Sequence, residues 1–251
     1  MKDPIPNYET LTIQSEKVNE IRTINIWTPP NYKNNTTLFP VIYMLDGGIK
    51  VDFPHIANTI SILVKNNSIS PIILIGIENT ERRRDLTGLS DIVEDKEIAP
   101  LNDGAKSFRA FIEDELFIEI NKQYRTTKEK RIVDESVAGL FIIETFLLKP
   151  EMFDFYIAMD PSLWWNNHHL VKNVNNLLAE FSTKENKLWF AGSDAEDISQ
   201  YTKELSQILK NNAPESLRWH YSNEPTEKHN TIFRATKERA IIWSLKPTKN
   251  E

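Results

Sequence analysis

Cysteine is absent from the 251 residues. That excludes a disulfide framework, a thiolate nucleophile and a cysteine-ligated metal, and it leaves the redox compartment open. No apolar run approaches a membrane span, and the opening Met1-Lys2-Asp3-Pro4 has no apolar core of signal-peptide length. As it stands the sequence reads as a cytoplasmic protein with no membrane partner. A periplasmic or secreted chain whose export signal had been trimmed would read the same. A basic patch is also missing: net charge is −6, with acids and bases interspersed, so no nucleic-acid partner is expected. The lysine-rich stretches Lys122 to Arg131 and Lys246 to Lys249 read as solvated surface and a tail. Linkers, repeats and low-complexity segments are lacking, and the sequence sets no oligomeric state. No histidine–carboxylate spacing resembles a metal-ligand set, so neither metal nor cofactor is expected.

What is present is a 40% apolar share, with aromatic residues making up 10% of the chain, enough for a substantial core. Thr10 to Ser15 and Arg22 to Thr28 alternate polar with apolar and read as an antiparallel hairpin with one wet face. Phe39 to Leu45 and Pro71 to Ile77 are continuous apolar runs, as expected of strands buried on both faces. The run before Ser136, Phe155 to Met159, Lys187 to Ala191 and Leu217 to Tyr221 supply further strands. Helical spacing occupies Ile56 to Val64, Ser107 to Tyr124, Leu140 to Leu148, Val171 to Phe181, Ile198 to Leu209 and Thr231 to Ser244. Glu78 to Pro100 is too long and too charged for a simple connection, and such loops are more often functional than idle. Strands alternating with helices imply a mostly parallel α/β sheet with helices on both faces and the N-terminal hairpin at its edge. One domain over 1–251 is the economical reading.

In such a sheet, chemistry collects where strands end at their carboxyl edge. Those ends carry Asp46-Gly47-Gly48, Ser136, Asp160-Pro161-Ser162, Gly192-Ser193-Asp194 and, after the last strand, His229. Asp134-Glu135-Ser136-Val137-Ala138 follows a β-branched run and precedes an apolar helix, the pattern of a nucleophile elbow. By itself it is generic, since serine also caps helices. The order serine, acid, histidine suits a triad with His229 as base. Asp194, Glu196 and Asp197 all compete for the acid; Asp194 stands nearest the strand end and Glu196 second. The oxyanion would be held by the Val137 N–H and one from Gly47-Gly48, where glycine permits backbone geometry other residues resist. His55, His168, His169 and His220 read as surface or packing.

Several stretches together resemble a known family, nearly throughout the chain and in order. Tyr43-Met44-Leu45-Asp46-Gly47, Ile75 to Thr80 with Arg82-Arg83-Arg84-Asp85-Leu86-Thr87, Ser136 to Leu140, Ser162-Leu163-Trp164-Trp165-Asn166 and Glu227-Lys228-His229 look like the enterobactin-esterase and esterase-D type branch of the α/β hydrolases. The resemblance implies an α/β-hydrolase fold, a Ser136 nucleophile, a His229 base, and Arg84, Asp85, Trp164 and Trp165 around the substrate. Two residues depart from the family: Asp134 stands where it has glycine, and Gly88 where it has proline.

The expectation is a serine esterase acting on a small-molecule ester, such as a siderophore lactone, acylated sugar or phenolic ester. The rival is a catalytically impaired binding protein. A carboxylate at Asp134 would strain the elbow or hold the histidine protonated, and on that view Asp134→Gly should raise the rate. An altered site, with the extra carboxylate acting on water, and an acyltransferase on the same fold are further readings.

Overall fold

A computed structural model describes residues 3–181 and 184–245. Met1, Lys2 and the expected basic tail Lys246 to Lys249 lie outside them. Eight strands form one sheet: β1 (Glu9–Ser15), β2 (Glu20–Trp27), β3 (Phe39–Met44), β4 (Ile73–Ile77), β5 (Thr126–Glu135), β6 (Phe155–Met159), β7 (Asn186–Gly192) and β8 (Leu217–Asn223). Their spatial order is β1-β2-β4-β3-β5-β6-β7-β8. The first two make an antiparallel hairpin, β2 meets β4 antiparallel, and every pair from β4 to β8 is parallel.

Period-two alternation in the central strands divides the core. Val41, Tyr43, Ile73, Ile75 and Ile77 face one side, where α3 (Gly104–Phe111), α4 (Phe117–Gln123), α5 (Ser136–Leu148), α6 (Trp165–Ala179) and α7 (Glu196–Asn212) pack. Ile42, Met44 and Leu74 face the other, under α1 (Phe53–Lys65) and α8 (Ile232–Leu245). The helix expected over Ser107 to Tyr124 runs from Gly104 to Gln123 but winds as a π-helix at Ile112–Leu116. Ile112, Leu116 and Ile120 are all buried in the core on the side of Val41 and Tyr43. The Glu78–Pro100 connection holds one short helix, α2 (Arg82–Leu86), and a 3₁₀ turn at Val93–Glu97.

Two expectations change. Lys122 to Arg131 is not solvated surface throughout. It enters β5, and Arg131 is buried with its guanidinium over the Phe155 ring and paired with Glu129. Gly47 is glycine for lack of room rather than for an unusual backbone, because no glycine among the described residues has a positive φ. A Cβ on Gly47 would lie 2.2 Å from the Gly76 Cα, where the end of β3 leaves the sheet beside β4.

Candidate active site

Six parallel strands bring their carboxyl ends to one edge, and the chain turns sharply there at Ser136. Its φ of 60° is in the left-handed region that non-glycine residues avoid, at a cost of about 1–3 kcal/mol. The turn is held by β5 on one side, α5 on the other, and the Ser162 N–H donating to the Ser136 carbonyl at 3.0 Å. It points the Ser136 hydroxyl off the sheet edge, into a cavity of about 350 Å³.

His229 lies between β8 and α8. Its Nε2 is 3.1 Å from Ser136 Oγ and its Nδ1 is 2.8 Å from Asp160 Oδ2. Asp160, directly after β6, is fully buried and itself left-handed (φ 45°). The Ser193 N–H and hydroxyl donate to its two oxygens at 2.7 and 2.6 Å. The hydrogen bond to Asp160 raises the His229 pKa; burial opposes it, and the charges of Asp160, Glu135 and Asp197 add to the rise. The carboxylate on His229 is therefore Asp160, which corrects the expectation of Asp194 or Glu196. Asp194 pairs with Lys228, and Glu196 is exposed in the first turn of α7. Asp197 reaches the cavity wall without bonding the histidine.

Asp134 neither strains the elbow by bulk nor faces the histidine. Its carboxylate is buried and accepts the N–H groups of Leu45 at 2.9 Å, Asp46 at 2.8 Å and Glu135 at 2.9 Å. Burial and the nearby Asp46 charge push its pKa up, against the Asp46 and Glu135 N–H donors and Arg82. It extends the β3–β5 ladder by one step, tying the elbow to the loop after β3. Asp134→Gly should accordingly not raise the rate. Leaving buried N–H groups to water should lower stability by about 1–3 kcal/mol, read by urea melts beside esterase assays.

Arg82, Arg83, Ile98, Ser136, Val137, Ser162, Trp164, Ile198 and His229 are among the cavity's lining residues. Arg82 binds Asp46 through two hydrogen bonds, at 2.7 and 2.6 Å, while Arg83 is exposed and donates to the Ile98 carbonyl. Arg84 and Asp85, expected at the substrate, are turned away from it. They join Glu20 and the fully buried Arg22 in an ion-pair network that fastens α2 to β2. Of the two tryptophans only Trp164 reaches the cavity; Trp165 is buried with its Nε1–H donating to the Gly88 carbonyl at 3.1 Å.

Asn166 follows in the left-handed region, where asparagine is tolerated. It holds Leu89 to Asp95 through hydrogen bonds to Leu89, Asp91 and Asp95. At Gly88 a Cβ would lie 2.3 Å from Glu144 Oε1, the movable end of a side chain. Val137 lines the cavity in the first turn of α5, where helix N–H groups have no partner in the helix, whereas Gly48 sits on the neighbouring loop against Val51 and Glu78. Of the other histidines, His55 is buried in α1, His168 stacks on Tyr201, His169 meets Asn173, and His220 lies between Trp189 and Trp243. No group of three or more histidine, aspartate or glutamate side chains is placed to hold a metal ion among the described residues.

Comparison with known proteins agrees with this architecture. The chain is 28% identical to the ferri-bacillibactin esterase BesA of Bacillus subtilis over 269 residues, 97% of this chain and 91% of that protein. The crystal structure of an IroE-like serine hydrolase from Shewanella oneidensis superposes with a TM-score of 0.84 at 27% identity, covering 94% of this chain and 79% of that one. The BES protein of Bacillus cereus shares the fold, with a TM-score of 0.82 at 22% identity over 98% of this chain and 99% of that one. The family model described as "Putative esterase" matches residues 15–243. The fold is the α/β-hydrolase fold, and the chain belongs to that esterase family.

Proposed function

We propose that the protein is a serine esterase that hydrolyses a siderophore ester through an acyl-enzyme. The observation that carries the reading is the unbroken line from Ser136 Oγ through the His229 ring to the buried Asp160. Ser136 attacks the ester carbonyl while Nε2 of His229 takes its proton, and Asp160 holds the imidazole by Nδ1 and steadies the imidazolium. The N–H groups of Val137 and Gly48 receive the oxyanion. His229 then protonates the departing alcohol. Water, deprotonated by the same histidine, releases the acid. A raised histidine pKa makes the base unavailable at low pH, so the rate rises with pH through the titration of His229.

The substrate class is supported by the cavity wall and by the relatives. Trp164 offers an aromatic face and Arg83 an exposed cation at the mouth, suited to an aromatic, anionic acyl group. BesA is a ferri-bacillibactin esterase. Impairment through Asp134 finds no support, because its carboxylate is occupied by three backbone N–H groups.

Labelling with a fluorophosphonate, read by intact mass, tests the nucleophile: one adduct on the parent and none on Ser136→Ala is expected. Equal labelling of both would end the mechanism. Ferri-bacillibactin should be cleaved in preference to a feruloyl ester, and the reverse preference would overturn the substrate.

A further inference from the structure

Glu135, the last residue of β5, stands immediately before the proposed nucleophile, and its setting differs from that of the other carboxylates around the site. Asp134 has three backbone donors, Asp46 has Arg82, and Asp160 has Ser193 and His229. Glu135 Oε2 is enclosed and has no hydrogen-bond partner. An enclosed, unpaired carboxylate oxygen is costly, so its retention there calls for a compensating charge.

We propose that Glu135 is a positioning residue whose carboxylate controls the proton affinity of His229 and stabilises the imidazolium formed in both halves of the reaction. This rests on the serine-esterase reading of Ser136 and His229. The charged groups around Glu135 come from every neighbouring segment. Asp52 lies at the start of α1, Asp46 after β3, Asp134 within β5, Arg82 in α2, His229 between β8 and α8, and Arg234 in the first turn of α8. Burial, Asp52 and Asp46 push the Glu135 pKa up to about 7, against His229 and Arg82. His229 is raised in turn, partly by Glu135. Each group thus favours the other's charged form: the carboxylate favours the imidazolium, and the imidazolium the carboxylate. Above about pH 7, where Glu135 carries its charge, the cation formed when Ser136 gives its proton to His229 meets an anion already in place.

The test is an NMR titration of the His229 ring, assigned through His229→Gln, in the parent, Glu135→Gln and Glu135→Asp, alongside pH profiles of kcat/KM. Glu135→Gln should move both the His229 midpoint and the acid limb to lower pH and reduce the plateau about three- to tenfold. Glu135→Asp should recover most of both. An unchanged midpoint in Glu135→Gln, whatever its rate, overturns the proposal. Should Glu135→Gln not fold, the Glu135 Cδ resonance of the parent decides. An inflection shared with His229 is expected, and a single inflection in the ordinary carboxylate range overturns the proposal. Absence of fluorophosphonate labelling would remove the serine mechanism but leave the His229 midpoint as the judge of Glu135.

Discussion

Asp160→Asn should lower kcat by about 10³–10⁴-fold with the fold intact, the effect of replacing the acid of a serine triad by its amide. Asparagine fits the space, and its carbonyl oxygen still accepts from Ser193. The amide nitrogen, however, then faces His229 Nδ1, where a carboxylate oxygen now sits at 2.8 Å. A donor there forces the imidazole into the tautomer with its proton on Nε2, and that proton points at Ser136 Oγ. The base becomes a donor. The acid limb of any residual activity should also move to lower pH, because the hydrogen bond to Asp160 is the largest cause of the raised His229 pKa. Asp194→Asn and Glu196→Gln should stay within about threefold of the parent, since one pairs with Lys228 and the other is exposed. Steady-state kinetics on a p-nitrophenyl ester decides. A larger loss in Asp194→Asn than in Asp160→Asn would put the acid back after β7.

That substitution also marks where sequence reasoning stopped. The strand ends could be found from apolar runs cut short by polar residues, and Asp160 stood among them. Choosing between strand ends needs the third dimension. β6 and β7 are neighbours, and Ser193 of one clasps Asp160 of the other, so a residue 69 positions before His229 meets it while one 35 before does not. Ser136 and His229 were legible because a sharp strand–turn–helix and a position after the last strand leave little choice. Asp134 was misjudged for a different reason. Its cost was readable as bulk and charge, whereas two of the three backbone donors that receive it come from the loop after β3, about ninety residues away. The arginine run shows the limit at its finest grain. In a five-residue helix, Arg82 and Arg83 face the cavity while Arg84 and Asp85 face β2. No spacing rule separates them.

Asp85→Ala provides the second large effect, on stability and not on substrate affinity. Arg22 is fully buried against the Phe108 and Phe111 rings, and the hydrogen bond of its guanidinium runs from Nη1 to Asp85 Oδ2 at 2.7 Å. Glu20 lies 3.3 Å from Nη2 as an ion pair without hydrogen-bond geometry. Removing Asp85 strands a guanidinium in an aromatic core and should cost about 3–5 kcal/mol in urea melts. Arg22→Met with Asp85→Leu should recover most of that loss, because well-packed apolar residues often replace a buried pair at little cost. A pH scan reports the outer half of the same network. Arg84 lowers the Glu20 pKa to about 2 from 4.5, so that share of stability is complete above pH 4.5 and is lost as pH falls toward 2. A substrate-binding role for Asp85 makes the opposite forecast, a raised KM at unchanged stability. The buried guanidinium decides for stability: Asp85 holds a charge that has no access to water, and α2 can present Arg82 and Arg83 to the cavity because Arg84 and Asp85 anchor its other side.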